Sequence, residues 1–501
     1  MRVIRGLGIC VAAMALASCS YGGSGGGGGG GGDGGGGGGD GGSDGSLGTL
    51  PNAKLRTGEA GPILLQANLL TPDQHISGGA ILFAQDRILC AGEGCEAGRF
   101  GDVAAGATVL ATGGTAYPGL IDLHNHVSWN TWKRVPFEES CYDNRDEWRN
   151  DSRVYDHDVK GPHNLVSRAA YCEMTKYGEI RAMMGGATVT QGASRDQECV
   201  HTLVRNIDDW NDLDGDHFES RISRVNRMRQ EDADSLIRRM DRGRTRTWLV
   251  HAGEGVDAYA KAEFAPLEEM GLLRPELAVI HGTGFGPEEF AKMGAAGANL
   301  IFSPLSNTML YGRPTDAVAA RDAGVNISLA PDWSLSGGES LLEELRFYDA
   351  WNRDHQDGAI SDEELVEMVT INPARTAKMD QQLGRLRRNF RADILVLRSD
   401  VEDPYRALIA ARPEQVALVV IGGRVRYGDA DLVDAVDPSC EAIDVCGTEK
   451  RLCVKDPDGD PELYLDQTYA SIVARLDELH PDLAPPVRCE VDEPIVPFCQ
   501  R

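Results

Sequence analysis

The sequence is poor in positive charge. It has 50 lysines and arginines against 77 aspartates and glutamates, which gives a formal net charge of −27 at pH 7. An acidic chain repels phosphate groups, so this balance excludes nucleic acid as an expected partner and disfavours electrostatic docking on anionic lipid. The hydrophobic fraction of 42% is close to that of ordinary globular proteins, and it excludes wholesale disorder.

The N-terminal apolar run is too short for a permanent membrane span. Residues 1–18 combine a basic start with this short run, which is typical of a secretory signal. Residues 16–19 (LASC) resemble a bacterial lipobox, whose cysteine becomes lipidated after cleavage. We therefore predict lipidation of Cys19 and an exported, membrane-anchored lipoprotein that faces the periplasm or the cell surface. An ordinary cleaved signal is the alternative.

A glycine-rich segment follows the predicted lipidation site. Between residues 22 and 48, 20 of the 27 residues are glycine. Such a composition cannot bury apolar surface and behaves as a flexible tether, with a reach of about 30 Å by the scaling of flexible linkers. A tether suits a protein anchored by one end, so residues 19–50 are predicted to be a lipidated cysteine with a flexible linker.

No two cysteines have the C-x-x-C spacing, and this disfavours a zinc ribbon. Removal of Cys10 with the signal and lipidation of Cys19 leave ten cysteines, and an even number in an exported protein favours disulfides. The short separations Cys90–Cys95 and Cys489–Cys499 are candidate local bridges. The other pairings stay open, but at least one bridge must join distant segments if all ten cysteines pair.

The pattern of apolar runs divides the rest of the chain. Short apolar runs punctuated by glycine over 51–117, and again over 381–430, predict small β structure. Between 118 and 380 apolar strands alternate with helical stretches, which predicts a parallel sheet or a barrel. A helix predicted over 361–379 begins with a capping-box spacing. Residues 431–501 form a cysteine-rich extension.

The strongest motif is PGLIDLHNH at residues 118–126. Side chains at positions i and i+2 of a strand project to the same side, so His124 and His126 present two imidazoles to one point. Two imidazoles at the end of a strand can chelate a transition metal. The motif therefore predicts a metal site at the end of the first barrel strand.

Further candidate ligands recur at the spacing of strand–helix units. His251 and His281 each end an apolar run and lie 30 residues apart, which is about one unit. Asp332 follows an apolar run 51 residues beyond His281, which fits two units. The 125 residues from His126 to His251 leave room for four strand–helix units. These residues would follow strands 1, 5, 6 and 8, at the end of the barrel where (β/α)8 enzymes place their active sites.

These motifs resemble the amidohydrolase superfamily, in particular its branch of cytosine deaminases and chlorohydrolases. The resemblance covers about residues 61–428 and begins with PGLIDLHNH. It continues with the motifs that follow strands 5 to 8 and with three closing segments: 251–254, 281–282, 303–307, Asp332, 370–375, 383–386 and 392–397. It implies an α/β fold, a (β/α)8 TIM barrel over 118–380. A small flanking β-sandwich domain would be built from 51–117 and 381–430.

The resemblance also implies one divalent metal, zinc or alternatively iron(II). Its ligands would be His124, His126, His251 and Asp332. The ion would lower the pKa of a bound water, and Glu254 would pass a proton from that water to the leaving nitrogen. His281 would orient the nucleophile or polarise the substrate. Glu254, His281 and Asp332 are thus the predicted catalytic residues; a solvated loop position is the alternative for Glu254.

Lysine is absent between Lys176 and Lys261. This window includes strand 4, so the lysine-bridged two-metal site of another branch of the superfamily is disfavoured. A glutamate bridge stays open, because Glu219 lies close to the strand predicted over about 221–225.

Trp129, Asn307 and Trp333 are the candidate substrate contacts. The two tryptophans flank metal-ligand loops, where they could stack on a planar substrate; packing of a lid is the alternative. Residues 129–165 are long, polar and aromatic, and they are predicted to form a lid or insertion. The histidines outside the strand-end pattern are interpreted as ordinary: 157, 163, 201, 217 and 355.

The sequence therefore predicts a metal-dependent hydrolase of carbon–nitrogen bonds other than peptide bonds. The favoured reaction is deaminase-type attack of metal-bound hydroxide on a small cyclic substrate. An amidase that hydrolyses a cyclic imide or an N-acyl amino acid is one alternative. A surface-binding lipoprotein that has lost turnover is another. The expected partners are a small-molecule substrate and, through the lipid anchor, a membrane.

Overall fold

A computed structural model describes most of the chain after residue 60. The described residues are 61–71, 74–135, 141–193, 203–208, 218–220, 224–456, 466–480, 482–489 and 499. The predicted signal peptide, Cys19 and the glycine-rich linker lie outside them, as do His201 and His217. No helix in the described part of the chain is long and apolar enough to cross a membrane.

The strands, in chain order, are β1 Ile63–Thr71, β2 Gln74–Ala84, β3 Arg87–Gly92, β4 Thr108–Pro118, β5 Leu120–Asp122, β6 Ala187–Thr190, β7 Arg205–Asn206, β8 Phe218–Glu219, β9 Thr247–Ala252, β10 Leu277–His281, β11 Asn299–Phe302, β12 Asn326–Leu329, β13 Ile394–Leu397, β14 Val416–Ile421, β15 Arg424–Asp429, β16 Glu441–Val445 and β17 Thr448–Leu452. The α-helices are α1 Gly101–Ala105, α2 Arg145–Asn150, α3 Gly161–Met184, α4 Gln230–Asp241, α5 Ala258–Lys261, α6 Phe264–Glu269, α7 Pro287–Ala296, α8 Pro304–Tyr311, α9 Ala317–Asp322, α10 Leu341–His355, α11 Asp362–Glu367, α12 Ile371–Thr376, α13 Pro404–Ile409, α14 Ala430–Val433 and α15 Tyr469–Leu479. A π-helix, Ser152–Lys160, lies between α2 and α3.

Eight parallel strands, β5 to β12, carry the centre of the fold. β5, β6 and β7 form one sheet, and β8 to β12 form a second in the order β12-β11-β10-β9-β8. Beyond β12, the Asp332 N–H donates to the His124 carbonyl at 3.0 Å, which links strand 8 to strand 1. Between strands 3 and 4, the Ser220 hydroxyl donates to the Asp208 carboxylate at 2.7 Å. The number and direction of strands are those that a (β/α)8 fold requires.

A nine-stranded sheet combines the strands that precede the eight parallel strands with those that follow them. Its order is β16-β17-β15-β14-β13-β4-β1-β2-β3, and β4 pairs antiparallel with β13. Successive residues of β13 point to opposite faces: Leu395 and Leu397 pack in the large core that includes the parallel strands, whereas Ile394 and Val396 pack in a second apolar cluster. Both faces of β13 are therefore covered, which explains its uninterrupted apolar sequence.

Two predicted elements differ in the structure. The helix predicted over 361–379 is broken into α11 and α12, although the capping box of Ser361 and Glu364 is present. Pro373 accounts for the break, because its ring would clash with the carbonyl four residues earlier in a continuous helix. The fourth barrel strand includes Phe218–Glu219, which precede the strand predicted over about 221–225 and pair with β9, whereas residues 221–223 lie outside the described residues.

The disulfides show how the extension folds back. Cys90–Cys95 is present as predicted, and Cys440 pairs with Cys453. The predicted Cys489–Cys499 bridge is wrong: Cys489 bonds to Cys446 and Cys499 bonds to Cys141. The last of these crosses 358 residues, which confirms that a bridge joins distant segments. The short separation of Cys489 and Cys499 along the chain did not predict their pairing, because Cys499 lies next to Cys141 at the barrel.

A buried ion pair connects the barrel to the nine-stranded sheet. The guanidinium of Arg205 in β7 donates from Nη2 to Asp393 Oδ1 at 2.9 Å and from Nε to Oδ2. The Gly422 N–H also donates to Asp393, at 2.7 Å. The side chains of both charged residues are at most 3% exposed.

Loss of this pair should destabilise the protein strongly. Asp393→Ala removes the carboxylate that accepts two hydrogen bonds from the buried Arg205 guanidinium, and we expect the free energy of unfolding to fall by about 3–5 kcal/mol. Urea denaturation followed by circular dichroism measures this. The exposed pair of Arg229 and Asp232 supplies the control, since Asp232→Ala should leave the unfolding midpoint nearly unchanged. An unaltered midpoint for Asp393→Ala would contradict the expectation.

Candidate metal centre and active-site cavity

Four imidazoles and one carboxylate converge beyond the C-terminal ends of β5, β9, β10 and β12. Ligand atoms of His124, His126 and Asp332 lie within 4.8 Å of one another, and so do those of His124, His251 and His281. Asp332 Oδ1 is 3.1 Å from Nε2 of His124 and 3.3 Å from Nε2 of His126. The structure therefore brings all the predicted ligands together around His124. The ring centroid of His281 lies 5.1 Å from that of His124, which is comparable to 4.7 Å for His251 and 5.2 Å for His126.

The donor atoms fit a divalent cation. His124 is buried, and its Nε2 makes no hydrogen bond although Asp332 Oδ1 is near. Burial lowers the pKa of His124 to about 4, so its imidazole is neutral and carries a lone pair into the cluster. A buried polar atom without a partner is costly. A cation bound between nitrogen and carboxylate oxygen would remove that cost, and this donor set suits zinc or iron(II).

The carboxylate of Asp332 is held in one orientation. The Ser306 hydroxyl donates to Oδ2 at 2.7 Å, which leaves Oδ1 facing the two histidines of the first strand. Burial raises the pKa of Asp332, but the nearby imidazoles outweigh that effect and hold it well below its ordinary value. The carboxylate is therefore ionised, as a metal ligand must be.

Asn307 lies behind His281 and orients that ring. Its Oδ1 is 3.0 Å from His281 Nδ1, and its Nδ2 donates to Thr315 at 3.2 Å. The amide oxygen accepts the Nδ1 proton, so Nε2 of His281 is the nitrogen that faces the cavity. Asn307 is fully buried with both ends of its amide bonded to protein groups. The structure thus places Asn307 in contact with His281, and its contact with substrate stays a prediction.

Two site residues have strained backbone conformations. His281 has φ 73° and Asp332 has φ 68°, values in the left-handed region that non-glycine residues seldom adopt. His281 is the last residue of β10 and Asp332 lies three residues beyond the end of β12, so both strained residues lie at the edge of the parallel strands where the ligand cluster lies. Such conformations cost about 1–3 kcal/mol each and persist only where surrounding contacts hold them, which is common at functional sites.

Glu254 lies at the edge of the ligand cluster and is buried. Its Oε2 is 3.7 Å from His281 Nε2 and 3.6 Å from Nη1 of Arg145. Its Oε1 accepts a hydrogen bond from the Tyr311 hydroxyl at 2.8 Å. Burial raises the pKa of Glu254, and the charge of Arg145 opposes this only in part. The alternative of a solvated loop glutamate is therefore wrong.

A cavity of about 250 Å³ opens beside Glu254, His281 and Asp332. Its remaining walls are aromatic or cationic: Trp129, Trp148, Trp333, Tyr155, Arg145 and Arg149. The rings of Trp129 and Trp148 lie 5.8 and 5.6 Å from that of Trp333, so the aromatic wall is continuous. Both predicted tryptophans therefore line the cavity. The predicted insertion supplies the other aromatic residues and both arginines, which no strand-end pattern could identify.

His163 is not an ordinary histidine. Its ring stacks on Trp129 with centroids 3.6 Å apart, and its Nε2 is 3.2 Å from the Ser128 hydroxyl. It lines a second cavity that also contacts His124, His126 and His251. Burial lowers its pKa to about 4. Sequence reasoning missed this residue because it lies on α3, whose position over the barrel no local pattern reveals. His157 and His355, by contrast, are exposed, as expected of ordinary histidines.

Glu219 does not join the ligand cluster. Its carboxylate pairs with Arg239 at 2.9 Å. Among the described residues it belongs to neither group of ligand atoms. A glutamate-bridged pair of metals is therefore not favoured by this geometry.

Comparisons with known proteins agree with the motifs. A family model described as the amidohydrolase family matches residues 244–426. The 5-methylthioadenosine/S-adenosylhomocysteine deaminase of Halobacterium salinarum is 24% identical over 402 residues, which cover 72% of this chain and 89% of that protein. The protein of the same name from Pyrococcus abyssi is 28% identical over 187 residues, or 35% of this chain. That alignment spans only 44% of the Pyrococcus protein.

Solved structures share the fold at low identity. An adenosine deaminase from Xanthomonas campestris with bound zinc matches with a TM-score of 0.60 and 14% identity, over 84% of this chain and 98% of that one. A guanine deaminase from Bradyrhizobium japonicum matches with a TM-score of 0.55 and 14% identity, over 74% of this chain and 100% of that one. These similarities show a TIM-barrel-type fold. The family match and the curated relatives agree with the resemblance of the motifs to the amidohydrolase superfamily.

Proposed function

We propose that this protein is a metal-dependent hydrolase of non-peptide carbon–nitrogen bonds, acting as a deaminase on a small planar cyclic substrate. The observation that carries the proposal is the position of Glu254. Its buried carboxylate lies beside His281 at the edge of the ligand cluster and opens into an aromatic cavity. A carboxylate with a raised pKa in that position suits proton transfer near neutral pH.

The proposed metal is a single zinc ion, held by His124, His126, His251 and Asp332. Zinc is supported by the donor set and by its presence in the related adenosine deaminase structure. When bound, such an ion activates water and polarises the group under attack. His281 is close enough to share the coordination or to contact the substrate through Nε2.

The side chains around the cavity would transfer the proton and bind the substrate. Because Tyr311 occupies Oε1 of Glu254, Oε2 is the oxygen that would accept a proton from water and deliver it to the leaving nitrogen. Trp333 would stack on a planar ring, and Trp129, whose ring is inclined at 65° to that of Trp333, would contact the edge of that ring. A cavity of about 250 Å³ suits a small substrate.

Product analysis tests the proposal directly. The purified protein, loaded with zinc, is incubated with a panel of aminopurines, aminopyrimidines and aminotriazines, and ammonia release is measured. A second panel of cyclic imides and N-acyl amino acids is assayed for ring opening or amine release. Ammonia from the first panel alone supports a deaminase. Turnover of the second panel alone would establish an amidase, and no turnover by the metal-loaded protein on either panel would favour a binding protein.

We also propose the finer organisation of the chain. The eight parallel strands would close into one barrel, with the nine-stranded sheet as part of a β-sandwich domain beside it. The N-terminal residues would form a lipidated anchor that holds the protein at the membrane, facing the periplasm or the cell surface. The lipobox-like residues 16–19 and the glycine-rich segment support this location.

Substitution of the predicted lipidation site should release the protein from membranes. Cys19→Ser removes the acceptor of the acyl chains, which alone would anchor the protein. We expect the variant to appear in the soluble fraction with unchanged catalytic activity, measured after membrane separation and immunoblotting. Cys10→Ser, in the predicted signal peptide, is the control and should leave the mature protein membrane-bound. A Cys19→Ser variant that stays with the membranes would contradict the lipoprotein prediction.

A further inference from the structure

We infer that Tyr311 and Arg145 are positioning residues for Glu254, and that the C-terminal extension holds both in place through the Cys141–Cys499 disulfide. The inference rests on the proposed catalytic role of Glu254. It assigns a function to two residues of the barrel loops and to an extension that the family motifs do not cover.

Tyr311 fixes one oxygen of the Glu254 carboxylate. Its hydroxyl donates to Oε1 at 2.8 Å and accepts a hydrogen bond from Trp148 Nε1, also at 2.8 Å. All three side chains are buried. Because Trp148 occupies a lone pair of the phenol oxygen, the hydroxyl proton is directed at Glu254. The carboxylate is thereby oriented with Oε2 towards His281.

Arg145 constrains the same loop from the other side. Its Nη1 is 3.6 Å from Glu254 Oε2, and its Nη2 donates to Glu263 at 2.8 Å. Glu263 in turn accepts the N–H of Gly253 at 3.0 Å. The Arg145 backbone N–H donates to the Glu254 carbonyl at 3.1 Å. Arg145 therefore contacts both the carboxylate and the backbone of Glu254.

A disulfide lies directly behind these contacts. Cys141 begins the segment that carries Arg145 and Trp148, and it is bonded to Cys499. The Sγ of Cys499 packs against the Leu310 carbonyl at 3.9 Å, and the Tyr142 N–H donates to that same carbonyl at 2.9 Å. The bridge thus packs Cys499 between the segment before Arg145 and the residue before Tyr311, next to the backbone hydrogen bond that joins them. Catalytic groups need placement to within about 0.5 Å by the packing and hydrogen bonds around them, and the bridge restrains these contacts.

Removal of the Tyr311 hydroxyl tests the inference without removing the ring. Tyr311→Phe should lower kcat by about 10- to 100-fold, the range that corresponds to one hydrogen bond to a charged group. KM and zinc content should change by less than about two-fold, because ground-state binding is retained. Phe347→Leu, on the outer side of α10, is the control and should leave kcat unchanged.

A double variant separates positioning from a general structural effect. If Tyr311 acts through the Glu254 carboxylate, Tyr311→Phe should lower the residual single-turnover rate of Glu254→Gln by less than about two-fold. An equal loss in both backgrounds would mean that Tyr311 acts independently of Glu254 and would overturn the inference. Wild-type kcat in Tyr311→Phe would also overturn it. Full activity in Glu254→Gln alone would instead refute the catalytic role of Glu254 on which the inference rests, and no turnover by the wild-type protein on either substrate panel would refute the proposed function, so the failures are distinguishable.

The disulfide is tested with a matched pair. Cys141→Ser/Cys499→Ser should lower kcat about ten-fold or more while zinc content is kept. Cys440→Ser/Cys453→Ser breaks a bridge next to the nine-stranded sheet and should leave kcat unchanged. Equal effects of the two double variants would show that the extension only stabilises the fold. Should the first variant not fold, the folded wild-type protein is partly reduced and alkylated, and kcat is followed against the alkylated fraction of each cysteine measured by mass spectrometry. A loss of kcat that follows Cys141 and Cys499 supports the inference, and one that follows only the other cysteines would overturn it.

Discussion

Glu254→Gln is expected to keep the metal and the fold and to lose about 10²- to 10⁴-fold in kcat, the range for lost general acid–base catalysis. Glutamine can still accept the hydrogen bond from Tyr311, but it cannot exchange a proton between water and the leaving nitrogen. KM should move little, because the missing interaction is made in the transition state. Steady-state kinetics and metal analysis of the purified variant measure both quantities.

The matched control for this variant is Glu263→Gln. Glu263 is also a buried partner of Arg145, but it does not line the cavity beside His281. A loss of kcat much larger in Glu254→Gln than in Glu263→Gln would assign the effect to proton transfer rather than to disturbance of Arg145. Near-wild-type kcat in Glu254→Gln would refute the catalytic role of this carboxylate.

Asp332→Asn should remove most of the metal and nearly all activity. Asparagine keeps the shape of the side chain but loses the charge that offsets the cation. Changes in groups that only support a ligand cost about 10- to 100-fold in metal affinity, so loss of a charged ligand should cost about 100-fold or more. Metal content by mass spectrometry, at a defined free zinc concentration, gives this ratio.

Two further variants complete the metal test. His251→Ala should lose metal and activity together, whereas His355→Ala removes an exposed histidine of α10 and should lose neither. The wild-type protein should hold close to one metal ion per chain. A reproducible content of two, or retention of full zinc by Asp332→Asn, would contradict the proposed single-metal site.

The metal ligands could be predicted because their placement depends on local geometry. His124 and His126 share one side of a strand by their i, i+2 spacing, and His251 and His281 each end an apolar run. A parallel barrel brings the ends of all such runs to one rim, so the fold class alone assembles the cluster. The left-handed φ values of His281 and Asp332 could not be predicted, because no pattern in the sequence indicates them; the structure shows them.

The surroundings of Glu254 could not be predicted in the same way. Its partners Tyr311 and Arg145 are 57 and 109 residues away along the chain, on a helix and in an insertion. His163 lines the second cavity from a third element, α3. None of these contacts repeats with the period of a strand or a helix, and periodicity is the signal from which sequence reasoning draws its elements.

The sequence by itself determined the alternation of strands and helices, the rim on which the ligands lie and the chemistry that their side chains support. Each of these follows from residue type and spacing within one element or between consecutive units. Only the tertiary structure decided that Cys499 pairs with Cys141 rather than Cys489, and which residues of the predicted insertion line the cavity. Such pairings depend on where distant segments meet, because sulfur atoms bond only when packing holds their backbones a few ångströms apart.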